Sequence, residues 1–158
     1  MIASEEPWSE EAPLPFPQAR HAKRVLVAED DAAMRDLLLL VLRERGYAVD
    51  CVSSGSQMMS VLSERDPDGS LAQPFDLIVT DVRMPGASGL DAIDQLRRAG
   101  GTTPVIAVTA FPHDATRNRA QRLEISLLAK PFDLDSLRNA VQGALASSVA
   151  DPDAEREP

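Results

Sequence analysis

The feature of this sequence that most constrains its fold is a regular alternation between short apolar segments and amphipathic segments. Five runs of strand length are each followed by apolar residues at helical spacing; the runs are 24–28, 47–52, 77–81, 103–109 and 125–129. Such alternation favours right-handed β–α crossovers, which produce a parallel sheet with helices on both faces. Because the strands are largely apolar, both faces of the sheet are expected to be covered. We therefore predict a doubly wound α/β fold with five parallel strands.

The remainder of the chain divides into two tails around this single domain. Residues 1–22 are rich in proline and glutamate and predict a disordered tail, residues 23–147 form the folded domain, and residues 148–158 form an acidic disordered tail. Trp8 and Phe16 are unusual in such a segment. The first tail is interpreted either as an inert leader or as a docking segment that uses these aromatic side chains as anchors.

Composition excludes several classes of function. The chain carries 16 basic and 25 acidic residues, a net charge of -9, which argues against direct binding to nucleic acid. The longest apolar run, 37–42, is too short to span a bilayer, so no membrane association is expected. The single cysteine, Cys51, precludes an intrachain disulfide, and the N-terminus has no signal-peptide pattern. A cytoplasmic location is the resulting expectation.

Polar side chains follow the apolar strands where ligands bind in open α/β sheets. Glu29 and Asp30 come directly after the first strand, and Asp81 ends the third. Two carboxylates about 4 Å apart repel by roughly 4 kcal/mol at an effective dielectric constant near 20, so a cation or a proton is needed between them. Oxygen ligands alone favour a hard cation, and Mg²⁺ is the predicted cofactor. Magnesium beside a carboxylate nucleophile points to an acyl phosphate.

A phosphoryl group at this edge needs further partners, and two other strand ends supply them. Lys130 follows the fifth strand and offers a positive charge, while Thr109 ends the fourth strand and offers a hydroxyl donor. Either residue alone is more often a cap or a surface residue. Their coincidence with the carboxylates favours the site interpretation.

Four segments together resemble the receiver domain of two-component response regulators, and the resemblance covers about residues 23–147. The segments read VLVAEDD at 25–31, DLIVTDVRMPG at 76–86, PVIAVTA at 104–110 and LAKPF at 128–132. The resemblance implies a flavodoxin-like sheet with strand order 2-1-3-4-5, as in the chemotaxis regulator of the same family. It also implies a signalling switch with no enzymatic activity beyond its own phosphorylation and dephosphorylation.

The resemblance further implies a role for each site residue. Asp81 would accept a phosphoryl group from a histidine kinase or a phosphotransfer protein. Asp30 and Asp81 would bind magnesium together with the carbonyl oxygen of Arg83, and Glu29 would act mainly through water. Thr109 and Lys130 would contact the phosphoryl group.

Two local features accompany these roles. The bond between Lys130 and Pro131 would be a cis peptide, which X-Pro bonds adopt at small cost. Asp31 would lie outside the site and cap the first helix.

The sequence departs from the family pattern at Leu127, where an aromatic residue often swings inward as the threonine moves. An aliphatic side chain does not reproduce that packing. The usual coupling between the movement of the threonine and the partner-binding face is therefore expected to be altered. The preceding segment, 123–126, replaces a stretch that commonly contains Gly-Ala. The fourth helix and fifth strand are therefore expected to join differently.

Arg83 and Phe111 each stand two residues beyond a site residue, Asp81 and Thr109 respectively. Side chains at these positions would flank the path of an attacking water and tune the lifetime of the acyl phosphate. The alternative is that both are surface residues with no role in the site.

The favoured interpretation is a stand-alone switch, because the 11 residues after Ser147 cannot encode an attached output domain. Its unknown downstream protein would bind at the face formed by the fourth helix, fifth strand and fifth helix. Leu39 and Leu40 make the first helix apolar around much of its circumference, so a monomer or a weak homodimer is expected. One alternative is a phosphorylation-independent scaffold with the receiver fold. A magnesium-dependent phosphatase is disfavoured, because Arg83 stands where such enzymes carry a second aspartate.

Overall fold

The computed structural model describes residues 22–72, 74–110 and 112–148, and it confirms the predicted doubly wound fold. The predicted tails lie almost entirely outside the described residues. The strands are β1 Arg24–Ala28, β2 Ala48–Val52, β3 Leu77–Asp81, β4 Val105–Thr109 and β5 Ser126–Ala129. They form one parallel sheet in the order β2-β1-β3-β4-β5. The helices are α1 Ala32–Glu44, α2 Gly55–Leu62, α3 Gly89–Arg98, α4 Asp114–Arg122 and α5 Leu134–Ser148.

Polar residues fix where the helices begin. The side chains of Asp31 and Ser54 accept hydrogen bonds from first-turn backbone N–H groups of α1 and α2, at 3.2 and 3.1 Å. Ser88 forms a reciprocal capping box with Asp91 at the start of α3. Asp133 accepts from the Ser136 N–H at 2.7 Å. The capping role expected for Asp31 is therefore confirmed, and Asp133 plays the same part at the start of α5.

The sheet separates two main hydrophobic clusters, one under α1 and α5 and the other under α2 and α3. Alternate residues of a strand face opposite sides, so Val25 and Val27 join the first cluster while Leu26 and Ala28 join the second. The core strands are almost completely buried, as their apolar sequences predicted. Within the described ranges, no helix is both long and apolar enough to cross a bilayer.

Gly55, at the start of α2, allows that helix to approach the loop between β3 and α3. A Cβ atom there would overlap the carbonyl oxygen of Ala87, which is backbone and cannot rotate away. We expect Gly55→Ala to lower the free energy of unfolding by about 1–3 kcal/mol, as overpacking does. Gly143→Ala is the matched control, because a Cβ at that helical position meets nothing within 4 Å and should stabilise by about 0.5–1 kcal/mol. Urea unfolding of both variants measures the difference; equal effects would contradict the assignment.

Candidate functional site

Three carboxylates meet at the carboxyl end of the sheet. Ala28 pairs with Thr80, so the residues that follow them, Glu29 and Asp81, lie at neighbouring strand ends. Asp30 completes the group, and one oxygen of each of the three side chains lies within 4.8 Å of the others. The prediction that Glu29, Asp30 and Asp81 come together is confirmed.

Lys130 reaches into this group from the end of β5. Its backbone N–H donates to the carbonyl oxygen of Thr109 at 2.8 Å, and its bond to Pro131 is cis, as expected. The ammonium group, Nζ, lies 3.1 Å from Glu29 Oε1 and 3.0 Å from Asp81 Oδ2. A single cation therefore links two of the three carboxylates.

Burial raises the free-energy cost of keeping these groups charged. Glu29 is only 1% exposed, and burial followed by its contact with Asp81 raises the pKa of its carboxyl group to about 7. Burial works against the charged form of Lys130, but the hydrogen bonds and charges of Asp81 and Glu29 outweigh it, so the pKa of Lys130 is raised. Lys130 therefore stays protonated while Glu29 is only partly ionised near neutral pH.

The second oxygen of Glu29 offers acceptor capacity for a cation. Oε2 is buried and has no hydrogen-bond partner among the described residues. An unpaired buried carboxylate oxygen costs free energy unless a proton, water or metal satisfies it. A hard cation with oxygen ligands fits this donor set, so the residues are compatible with Mg²⁺.

The raised pKa of Glu29 predicts a pH dependence of stability. Its folded-state value of about 7 exceeds the ordinary 4.5, so the folded state binds more protons and loses stability as pH rises from about 4.5 through 7. In metal-free protein this loss should approach about 3 kcal/mol, and Glu29→Gln should remove it. Urea unfolding with a chelator at pH 5 and pH 8 tests this, and a parallel pH dependence of wild type and variant would contradict it.

Arg83 and Thr109, two further predicted residues, lie at the same edge of the sheet. The backbone N–H of Arg83 donates to Asp81 Oδ1 at 3.2 Å, and the Arg83 side chain is exposed. Thr109 is buried and follows Val108, which pairs with Asp81. Phe111 lies outside the described residues. A role of Arg83 and Phe111 in acyl-phosphate lifetime stays a prediction.

Leu127 is half-buried in a small cluster on the α3 side of the sheet. It pairs with Ala107 and packs against a group that includes Val82 and Leu90. Val82 directly follows Asp81, so this cluster adjoins the site through one peptide unit. An altered coupling between Thr109 and the partner-binding face, caused by Leu127, remains a prediction.

Two arginines join α3 to α4, and sequence reasoning missed both connections. Arg119, on α4, lies 2.8 Å from Asp91 and 3.6 Å from Asp94, both on α3. Arg97 donates to the carbonyl oxygens of Leu123 and Thr103 at 2.9 and 2.8 Å. No local sequence pattern encodes such partners, because they depend on how the two helices are placed.

The turn after α4 has an unusual backbone, while a different junction between α4 and β5 stays a prediction. Glu124 has a φ of 57°, in the left-handed region that a non-glycine residue seldom occupies. The adjacent Leu123 carbonyl accepts the hydrogen bond from Arg97. That bond helps to hold the strained turn against α3.

Comparison with known proteins agrees with this geometry. The response regulator receiver domain family matches residues 25–142. The alkaline phosphatase synthesis transcriptional regulatory protein SphR of Synechococcus elongatus is 35% identical over 140 residues, which cover 86% of this chain and 54% of that protein. The chain thus spans about half the length of the curated relatives it matches.

Solved structures reproduce the fold. The CheY-like receiver domain protein from Methanospirillum hungatei superimposes with a TM-score of 0.71 at 18% identity, covering 81% of this chain and 97% of that one. The receiver domain of sensor histidine kinase PA1611 from Pseudomonas aeruginosa gives a TM-score of 0.67 at 26% identity, covering 80% and 99%. That structure has a magnesium ion coordinated in its active-site cleft. With the family matched over most of its length and the fold and acidic cluster in place, this chain belongs to the response regulator receiver domains of two-component signal transduction.

Proposed function

We propose that the chain is a phosphorylation-dependent signalling switch in which Asp81 accepts a phosphoryl group from a histidine kinase or a phosphotransfer protein. The observation that carries the proposal is the contact of Lys130 Nζ with Asp81 Oδ2 at 3.0 Å, beside two further carboxylates. A nucleophilic carboxylate needs a nearby cation to approach an anionic phosphoryl group, and this edge of the sheet supplies one. We place the switch in the cytoplasm, where such kinases present their phosphohistidine.

The proposed metal ligands are Asp30, Asp81 and the carbonyl oxygen of Arg83, with Glu29 acting mainly through water. Bound magnesium supplies positive charge that lowers repulsion between the incoming phosphoryl oxygens and the carboxylates. The buried, unpartnered Oε2 of Glu29 supports this assignment, because it offers acceptor capacity that no described residue uses.

In the proposed transfer, an oxygen of the Asp81 carboxylate attacks the phosphorus of the phosphodonor. The P–O bond forms as the P–N bond to the donor imidazole breaks, and the imidazole nitrogen retains the electron pair. Lys130 stabilises the added charge through its ammonium group, and Thr109 donates its hydroxyl hydrogen to a phosphoryl oxygen. Hydrolysis of the acyl phosphate by water later restores Asp81.

Phosphorylation adds a charge of about -1.5 to -2 at Asp81. Lys130 then turns from Glu29 and Asp81 toward the phosphoryl oxygens, which biases an existing equilibrium of the α4-β5-α5 face. A downstream protein that prefers one state of this face would read the signal. Leu127 makes that readout independent of an aromatic swing, since it has neither the ring nor the hydroxyl.

The test incubates the wild-type chain with acetyl phosphate or phosphoramidate in the presence of Mg²⁺ or a chelator. We expect incorporation of one phosphoryl group with magnesium and almost none with chelator. Turnover of a small phosphate ester would instead favour a phosphatase. Absence of uptake under all conditions would remove the switch proposal.

The second candidate is a phosphorylation-independent scaffold, and the half-buried packing of Leu127 is the observation that favours it. The two functions differ in partner binding. A switch binds its partner differently with and without a beryllofluoride-type mimic, whereas a scaffold binds equally in both states and tolerates Asp81→Asn.

A further inference from the structure

A groove lies between the end of α1 and the first half of α5, and none of its lining residues belongs to the site described above. Its floor is apolar, from residues such as Val41 and Leu137, and its volume is about 140 Å³. An engineered apolar cavity of about 150 Å³ is large enough to bind benzene. The groove therefore accommodates one aromatic ring.

The rim of this groove is basic. Arg45 is exposed and, among the described residues, forms no ion pair. Within the described ranges, Arg138 pairs only with Asp135, at 3.4 Å; the Arg138 side chain is 29% exposed and that of Asp135 is 89% exposed. Because Asp135 is largely solvated, such a pair contributes little and exchanges readily for another carboxylate. The groove thus fits an aromatic side chain that has acidic residues on either side.

The chain itself supplies that pattern. Trp8, its single tryptophan, stands between Glu5-Glu6 and Glu10-Glu11. The N-terminal segment enters the domain beside the groove, because the carbonyl oxygen of Lys23 accepts a hydrogen bond at 2.9 Å from Ala48, the neighbour of the groove residue Tyr47.

The length of the segment permits the return. Trp8 is 15 residues before Lys23, a span of about 50 Å when fully extended, and the prolines between them favour an extended chain. Tethering gives an effective concentration of up to the millimolar range, so a contact whose Kd lies below that concentration is largely formed. We propose that residues 5–11 dock intramolecularly in the α1–α5 groove, with Trp8 as the anchor and the glutamates facing Arg45 and Arg138.

Intrinsic fluorescence tests this contact directly, because the chain has one tryptophan, in the segment, and one tyrosine, Tyr47, in the groove. In the full chain we expect blue-shifted Trp8 emission, protection from acrylamide relative to a peptide of residues 1–20, and energy transfer from Tyr47 to Trp8. The double variant Arg45→Glu and Arg138→Glu should lose all three signals. Arg117→Glu with Arg122→Glu makes the same charge change on α4 and should retain them.

Each other outcome overturns the proposal. Solvent-like Trp8 emission in the wild type would show that the segment does not dock. Protection that disappears on dilution would assign the groove to the segment of a second copy. Equal loss of the fluorescence signals in both double variants would show that the signals depend only on net charge. Loss in neither variant would show that Trp8 contacts another surface. Circular dichroism of every variant verifies that the domain remains folded.

Discussion

Asp81→Asn is expected to take up no phosphoryl group from acetyl phosphate or phosphoramidate under conditions that phosphorylate the wild type. The amide keeps the size of the carboxylate but loses its charge and its nucleophilic oxygen, so neither the attack nor the metal contact is supported. Intact-mass measurement after incubation with Mg²⁺ gives the phosphorylated fraction. The loss should be complete, since no other residue is proposed to form the acyl phosphate.

The matched control is Asp36→Asn, which makes the same change on the exposed surface of α1. It should be phosphorylated to the wild-type level. Uptake by Asp81→Asn at a similar rate would place the acceptor elsewhere. Equal loss in both variants would point to a general effect on folding.

Lys130→Met is expected to produce the largest loss of stability among the site variants, in a pH-dependent way. Removing one partner of a buried ion pair costs about 3–5 kcal/mol. We expect about 3 kcal/mol in metal-free protein at pH 8, because Lys130 is partly solvated and Glu29 can take up a proton. At pH 5 the loss should be clearly smaller, since Glu29 is then already neutral and mainly the contact with Asp81 is lost. Urea unfolding at the two pH values measures the difference.

Lys23→Met serves as the control. Lys23 is exposed, and its substitution makes the same change of charge away from the site. Lys23→Met should lose little stability at either pH. Added Mg²⁺ should partly restore the stability of Lys130→Met and leave that of Lys23→Met unchanged. A loss for Lys130→Met that is as large at pH 5 as at pH 8 would contradict the role given to Glu29.

The fold was predictable because hydrophobic periodicity and strand polarity acted together. Once the strands are parallel, the residues at the carboxyl ends of β1 and β3 must share one edge, so the sequence alone predicts that Glu29 and Asp81 lie close together. The position of Lys130 followed in the same way. The predicted starts of β2, β4 and β5 were early by one or two residues, because apolar periodicity does not mark where ladder pairing begins.

The connections made by long side chains between helices were not predictable. Arg97 and Arg119 choose partners on α3, α4 and their loops according to the relative placement of those elements, which no spacing in the sequence records. The orphaned oxygen of Glu29 also became visible only in three dimensions. Of these features, the Glu29 oxygen bears on the site, because it provides an acceptor for a cation.

We propose that Asp81 carries the phosphoryl group. Site mapping on the wild-type chain tests this most directly: phosphorylation with phosphoramidate and Mg²⁺, reduction of the acyl phosphate with borohydride, and peptide mass spectrometry. We expect a single reduced residue, Asp81, in the peptide that contains residues 76–86. Labelling at any other residue, or an unlabelled chain with Asp81 intact, would contradict it.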